Sequence, residues 1–240
     1  MSHVNRRNGF TIIELMLAMG FVSVLLIAIA MTVIQIGNIY NRGIMLKDVN
    51  QAGRSIASEL QRSINQTAPF LINDKYVDQD WGGRLCLGQY SYIWNYGAAI
   101  DSTPDLNRNV YSGSTNEIRF VKVFDPNTSY CTRSLVDSKY KDVIFSDAVE
   151  LLNIGQHNLA IHNFTINTSS TASDSKTGQQ LYNLEFMIGT NDQAALMFDL
   201  AGAVTCKPPS EVATGADPSY CSINQFNIVA RAGNTIEQRK

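Results

Sequence analysis

Two kinds of residue are missing from long stretches near the start of this chain. No proline occurs before Pro69, and no charged residue lies between Glu14 and Arg42. The missing proline leaves this region without the residue that most strongly breaks a helix. The missing charge excludes an ordinary surface helix, which would carry polar residues on its outer face. The net charge of the whole chain is only −2, so it also lacks the basic field typical of nucleic-acid-binding proteins.

The chain lacks the motifs that would indicate an enzyme. It contains no G-x-S-x-G, no phosphate-binding P-loop, no Rossmann glycine pattern and no H-E-x-x-H. His157 and His162 are five residues apart in a predicted strand region, so they would point to opposite faces. The aspartates are scattered in turns and do not match an EF-hand. We therefore predict no catalytic residues, no metal site and no cofactor.

The apolar run that follows Glu14 has the length of a membrane-spanning helix, which needs about 20 residues. It is longer than the apolar part of a signal peptide, typically about 7–15 residues. No small-residue cleavage site of the A-x-A type clearly follows it. Arg6 and Arg7 precede the run, so the positive-inside rule places the N-terminus in the cytoplasm and exports the rest of the chain.

Glu14 is the exception within this region, because a carboxylate at the edge of a membrane helix costs free energy. One explanation is that it lies among lipid headgroups. The other is that it has a cationic partner. A cut between Gly9 and Phe10 would create an α-amino group about one helical turn from Glu14. That group, on the same or a neighbouring helix, would neutralise the carboxylate.

The stretch Arg6-Arg7-Asn8-Gly9-Phe10-Thr11-Ile12-Ile13-Glu14-Leu15 closely resembles the class III signal of type IV prepilins and type II secretion pseudopilins. The resemblance is specific over residues 6–35. It implies cleavage after Gly9 by prepilin peptidase and N-methylation of Phe10. It also implies that Glu14 pairs with the N-terminal amine of a filament neighbour. In size and in having Glu14, the chain is similar to the larger minor pilins of the PilW type and to J-type pseudopilins.

Helix-compatible sequence extends well beyond the apolar run. Further apolar residues recur at spacings that fit one helical face: Leu46, Val49, Ile56, Leu60 and Ile64. We predict one helix over about residues 10–65, with its first half exposed to lipid or other subunits and its second half packed on a sheet. Gly37 and Gly43 flank the predicted exit from the membrane, where they favour either a local bend or close packing of helices.

From Pro69 onward the pattern changes to strands and turns. Strands are predicted at residues 117–124, 158–167, 180–190, 194–200 and 223–231. The strands at 180–190 and 194–200 are predicted to form a hairpin, and residues 70–116 are predicted to be loop with short strands.

Four aromatic residues alternate along one short segment, which places them on the same face of a strand: Tyr90, Tyr92, Trp94 and Tyr96. Such a face favours packing in the core. An exposed face of this kind would instead bind a glycan, DNA or a neighbouring subunit.

The four cysteines, Cys86, Cys131, Cys206 and Cys221, all lie beyond the apolar run. In an exported domain an even number of cysteines favours disulfides, here two of them, and four cysteines permit three pairings. A Cys206–Cys221 bond, which closes a short polar loop, is favoured, with Cys86–Cys131 as the second. A zinc site is the alternative, but no CxxC or nearby Cys/His pair supports it.

These patterns predict an α+β fold in which a long N-terminal helix packs on an antiparallel β-sheet head, the layout that the pilin resemblance implies. The expected segments are a removed leader (1–9), a transmembrane and assembly helix (10–40), an amphipathic helix half (41–66) and a β-rich head (67–240). The expected location is a single-pass cytoplasmic membrane protein with an exported C-terminal domain, followed by an extracellular pilus.

The resemblance implies a structural subunit, a minor pilin of a type IV pilus, and not an enzyme. The implied partners are other pilin subunits, prepilin peptidase, the inner-membrane assembly platform and, before assembly, the membrane itself; no nucleic acid is predicted. Two alternatives remain at this point. One is a pseudopilin of a type II secretion system, and the other is a membrane-anchored adhesin or DNA-binding module that never polymerises.

Overall fold

The computed structural model describes residues 11–100, 108–135, 139–152, 158–168, 179–199, 204–208, 210–211 and 220–233. The predicted leader, including Gly9, and the predicted new N-terminus Phe10 lie outside these residues. Within the described part, the chain begins with a 54-residue helix, α1 (Ile12–Asn65). Two short helices follow, α2 (Ile72–Lys75) and α3 (Gly97–Ile100).

The strands follow in chain order: β1 (Tyr76–Gln79), β2 (Gly82–Leu87), β3 (Tyr90–Asn95), β4 (Tyr111–Ser112), β5 (Phe120–Phe124), β6 (Val143–Ile144), β7 (Ala148–Glu150), β8 (Leu159–Thr168), β9 (Gln180–Thr190), β10 (Leu196–Phe198), β11 (Val204–Cys206) and β12 (Ile223–Ala232). One antiparallel sheet has the order β1-β2-β3-β5-β7, and a second has the order β12-β9-β8. Two small pairs, β10–β11 and β4–β6, complete the described strands. A parallel bridge between Tyr96 and Ile161 joins the two larger sheets.

Residues 70–116 contribute more sheet than the sequence pattern predicts. The segment supplies β1, β2 and β3, which are joined by two tight hairpins. Gly88 turns the second hairpin with φ of 56°, a left-handed conformation that glycine adopts without steric cost. Many of the aromatic residues and glycines of this segment therefore lie within a buried sheet and not in loops.

The predicted hairpin between residues 180–190 and 194–200 is wrong. The strand β9 matches the first of these segments, but its two edges pair with β8 and β12. The second segment forms the shorter β10, which pairs with β11 instead. Because both edges of β9 are already occupied, the chain turns away at Asp192, whose carbonyl accepts a hydrogen bond from the Ala195 amide.

The core lies between the second half of α1 and the two larger sheets. The buried residues of α1 are Met45, Val49, Ala52, Gly53, Ile56, Leu60, Ser63 and Ile64. Leu46, predicted to belong to this stripe, is instead 42% exposed, and Met45 occupies the core position. A one-residue change rotates a side chain by about 100° around a helix, so the stripe begins one position earlier than predicted. The fold is α+β, with a long apolar N-terminal helix against antiparallel sheets.

Candidate functional site

The start of α1 is organised by Thr11 and Glu14. The Thr11 hydroxyl accepts a hydrogen bond from the Glu14 amide at 3.3 Å, and the Glu14 carboxylate accepts one from the Thr11 amide at 2.8 Å. This reciprocal arrangement is a capping box, which satisfies amides that would otherwise lack partners at a helix start. The signal for this cap is present in the sequence as Thr11-Ile12-Ile13-Glu14, a threonine followed three residues later by a glutamate.

The carboxylate of Glu14 is only partly engaged by this cap. Its Oε2 atom accepts both the Thr11 amide and, at 2.8 Å, the Thr11 hydroxyl. Among the described residues, its Oε1 atom accepts no hydrogen bond, and the residue lies on the exposed surface of the helix. Glu14 can therefore hold its own helix start while Oε1 faces a second, external donor.

From Ile12 to Tyr40, α1 presents an exposed apolar surface on all sides. Its large apolar side chains in this stretch are between 45 and 81% exposed. By length and composition, α1 is able to cross a membrane, and the apolar window that meets this test is 0% buried. Apolar surface of this extent marks a segment that contacts lipid or protein.

The few hydroxyl groups in this stretch do not make it polar. The Ser23 hydroxyl donates to the Met19 carbonyl at 2.8 Å, and the Thr32 hydroxyl donates to the Ile29 carbonyl at 2.7 Å. Each hydroxyl is therefore satisfied by its own helix backbone, as Ser and Thr are in helices surrounded by lipid.

The glycines of this stretch do not interrupt α1. The helix continues unbroken through Gly20, Gly37 and Gly43, so no turn of it is melted at the predicted membrane exit. A Cβ atom at any of these three positions would meet nothing within 4 Å. Their small size serves no contact within the described chain, but it would permit the close approach of another helix.

The second half of α1 is joined to β12 by polar and close apolar contacts. The Gln61 side-chain amide donates to the Val229 carbonyl at 3.1 Å, and the Arg231 amide donates to Asn65 Oδ1 at 3.2 Å. Both contacts satisfy groups on the β12 edge that β9 does not use. These contacts hold the second half of α1, and the exposed half continues from it without a break.

A polar cluster that extends from the core to the surface joins α1 to the five-stranded sheet. Glu59 accepts hydrogen bonds from Lys122 at 2.6 Å and from Tyr92 at 2.9 Å, and the Tyr92 and Ser63 hydroxyls are 2.5 Å apart. Burial opposes ionisation of Glu59, but the hydrogen bonds from Lys122 and Tyr92 outweigh it and lower the pKa of the carboxyl. Burial raises the pKa of Tyr92. The cluster fixes the head against the helix.

The alternating aromatic residues lie mainly in the core and not on a binding face. Tyr92 and Trp94 are fully buried, and their rings pack near Phe120. Tyr96 donates its hydroxyl to Asp78 at 2.7 Å, and burial raises its pKa. Tyr90 alone lies at the edge, with the Lys122 ammonium over its ring. These contacts account for the pattern by packing.

The cysteines form two disulfides, Cys86–Cys131 and Cys206–Cys221, the pairing favoured by the short polar loop. His162 is hydrogen-bonded to the Thr190 carbonyl at 3.0 Å, and His157 lies outside the described residues. No group of three or more His, Cys, Asp or Glu that could hold a metal occurs within the described ranges.

No protein-family model, curated protein or solved structure matches this chain at a significant level. The likeness of this chain to pilins is therefore one of architecture alone. A long apolar N-terminal helix packs on antiparallel sheets in a head that carries two disulfides. The architecture is pilin-like. Its N-terminal helix is suited to anchoring in a membrane, and its disulfides indicate that the head is exported.

Proposed function

We propose that the chain is a structural subunit of a type IV pilus, a minor pilin that is processed after Gly9 and assembled through α1. The observation that carries the proposal is the single charge, Glu14, at the start of an exposed apolar helix that continues into a disulfide-bonded head. A helix of this kind requires a membrane before assembly and other helices after it.

The exposed half of α1 supports polymerisation because its surface suits both environments. From Ile12 to Ile34 the large apolar side chains are exposed, and the Ser23 and Thr32 hydroxyls are satisfied by the helix backbone. Gly20, Gly37 and Gly43 leave space on its surface where neighbouring helices of a filament could approach closely.

Glu14 gives the assembly its register in this proposal. Hydrolysis of the Gly9–Phe10 peptide bond by prepilin peptidase would free the α-amine of Phe10, which would then be N-methylated in a separate step that uses a methyl donor. The amine of a neighbouring subunit would then donate to Glu14, whose Oε1 atom accepts no hydrogen bond among the described residues. In an apolar surrounding, pairing of a carboxylate with an amine avoids the large cost of leaving either charge unpaired.

The proposed route begins in the cytoplasmic membrane, with the N-terminus inside and the head exported. The inner-membrane assembly platform would then transfer the processed subunit into a filament outside the cell. A type II secretion pseudopilus would use the same processing and the same helix. Recovery of the chain in filaments sheared from the cell surface distinguishes a pilus from a pseudopilus, which stays within the envelope.

Glu14→Gln tests the assembly role. We expect the variant to be cleaved after Gly9 as the unchanged chain is. Its amount in sheared filaments should fall by about tenfold or more, because loss of one charge-assisted hydrogen bond costs about 1.5–3 kcal/mol. Ser23→Ala is the matched control, since it changes a hydroxyl on the same exposed helix without removing charge. The measurement combines quantitative immunoblotting of filaments with mass spectrometry of the N-terminus.

Two results would overturn the proposal. An intact Met1 on the protein in the cell envelope would contradict processing and would favour a membrane-anchored binding module that does not polymerise. Normal incorporation of Glu14→Gln would contradict the pairing role, provided that the Ser23→Ala control also incorporates normally.

A further inference from the structure

A cleft of about 370 Å³ lies where α1 meets the C-terminal part of the head. On the helix side it is lined by Arg42 and Leu46. On the head side it is lined by β11, by the Cys206–Cys221 disulfide and by the first residues of β12. The volume is within the range of sites that hold small molecules. Leu46, which departs from the predicted core stripe, lines this cleft.

The cleft contains a buried hydroxyl group without a partner. Ser222 is only 5% exposed, and its Oγ atom has no hydrogen-bond partner among the residues that the structure describes. The Ser222 backbone is satisfied, since its amide donates to Thr190 Oγ1 at 3.1 Å and its carbonyl accepts from the Thr190 amide at 2.9 Å. A buried hydroxyl left unpaired costs about 1–3 kcal/mol. Because the Ser222 Oγ atom has almost no accessible surface, a molecule in the cleft does not reach it.

Arg42 supplies a positive charge at the mouth of the cleft. It is the first charged residue after Glu14, it is exposed, and it makes no salt bridge within the described part of the chain. None of the described residues that line the cleft carries a carboxylate. The cleft therefore offers the Arg42 guanidinium to an anion, while Met187, Val204 and Ile223 provide an apolar wall.

The position of the cleft along α1 identifies the source of the anion. Arg42 lies 28 residues beyond Glu14 on an unbroken helix, a distance of about 42 Å at about 1.5 Å per residue. A bilayer with its headgroup layers is about 40–45 Å thick. With Glu14 at the inner interface, Arg42 lies among the outer headgroups. The exposed Tyr40, next to it, is of the residue type that is enriched at that level.

We propose that this cleft binds the headgroup of an anionic phospholipid from the outer leaflet, before the subunit leaves the membrane. The Arg42 guanidinium donates to the phosphate oxygens, and the apolar wall contacts the glycerol and the first methylene groups. Basic pockets beside membrane helices recognise lipid headgroups by this chemistry. The inference rests on the membrane stage of the proposed function but not on filament assembly.

The test uses the full-length chain in neutral detergent, titrated with dihexanoylphosphatidylglycerol. We expect this lipid to bind about tenfold tighter than dihexanoylphosphatidylcholine, because only the first carries net negative charge. Arg42→Gln should weaken its binding about tenfold. Arg54→Gln, an exposed arginine farther along α1 and outside the cleft, is the matched control and should bind as the unchanged chain does.

Each contrary outcome is specific. Equal affinity for the two lipids, or unchanged binding by Arg42→Gln, would overturn the lipid site. Binding of inorganic phosphate as tightly as phosphatidylglycerol would replace it with a site for free anions. If Glu14→Gln assembles normally and still binds phosphatidylglycerol, the proposed assembly role is overturned and the lipid site stands.

Discussion

Asp125 is the residue that organises the turn before the first disulfide. Its carboxylate accepts hydrogen bonds from the Ser91 hydroxyl at 2.7 Å, from the Ser129 amide at 2.9 Å and hydroxyl at 3.0 Å, and from the Tyr130 amide at 3.1 Å. Burial opposes its ionisation, but these donors outweigh burial and lower the pKa of the carboxyl. Asp125 thereby positions the 3-10 turn Ser129–Cys131, which carries Cys131.

Asp125→Asn should destabilise the head at neutral pH by about 2–3 kcal/mol, since charge-assisted hydrogen bonds are lost and the new amide group faces donors. The folded pKa of Asp125 lies below its unfolded value of about 3.9. Its contribution is therefore complete above that pH and is lost as pH falls through the folded pKa. Denaturation across pH 2–7 should show a smaller difference between the variant and the unchanged chain at the acidic end.

Asp80→Asn is the control for this prediction, because Asp80 is exposed and its substitution removes the same charge. A difference between Asp125→Asn and the unchanged chain that stays constant from neutral to acidic pH would contradict the role assigned to the carboxylate.

Arg84 is buried in the head, and its hydrogen-bond partners among the described residues are neutral oxygen atoms. Its guanidinium donates to Asn109 Oδ1 at 2.8 Å and to the carbonyls of Tyr130 and Lys141, each at 2.9 Å. Burial lowers its pKa to about 10, so it remains charged at neutral pH. Neutral acceptors from three separate segments compensate the charge, and Arg84 thereby ties those segments to β2.

At the scale of elements, the junction of α1 with β12 decides how the exposed rod is held. Gly53 is buried at this junction, and a Cβ atom there would overlap the ring of Phe226. Phe226 also stacks on Phe186 of β9, which limits its freedom to move. The glycine is therefore a point of close approach, although helix propensity alone marks it only as a weak position.

Gly53→Ala should lower the free energy of unfolding by about 1–3 kcal/mol, because overpacking at Phe226 exceeds the gain in helix propensity. Gly43→Ala should instead raise it by up to about 1 kcal/mol, since the added methyl group meets nothing. Denaturant unfolding of the full chain in detergent, followed by Trp94 fluorescence, measures both. The same sign for the two variants would contradict the close contact.

At the scale of the whole molecule, two disulfides stabilise different regions of the head. Cys86–Cys131 links residues 45 apart and lies with Ile93, Val121 and Val143 in a cluster on the side of the larger sheet away from α1. Cys206–Cys221 links residues 15 apart and lies with Leu196 and Val204 beside the cleft.

Removal of the long-loop disulfide should cost more stability than removal of the short one. In the chain-entropy description the double variant Cys86→Ser/Cys131→Ser loses about 4 kcal/mol, and Cys206→Ser/Cys221→Ser loses about 3 kcal/mol. The second variant should also weaken phosphatidylglycerol binding, whereas the first should not, because only Cys206 and Cys221 line the cleft. Denaturation and lipid titration of both double variants test this order. A reversed order of stability would contradict the chain-entropy account.

The sequence by itself determined the features that depend on local pattern. The charge-free run, the first proline at Pro69 and the spacing of apolar residues predicted one long helix, and α1 extends from Ile12 to Asn65. Alternation predicted β9 to the residue and β12 within one residue, because each is a long strand bounded by turn formers. The α+β fold followed from these elements.

The tertiary structure alone decided which elements and side chains meet. Local pattern did not specify that β9 pairs with β8 and β12 and not with β10, because strand pairing depends on which edges remain available across the molecule. Local pattern predicted Leu46 in the core, whereas Met45 is buried there. The difference arises because contact with the sheets sets the phase of the helix. Gly53 against Phe226, and Arg42 beside Ser222, join residues more than 170 positions apart. Such contacts arise only when the chain folds back on its first helix, and sequence periodicity carries no record of them.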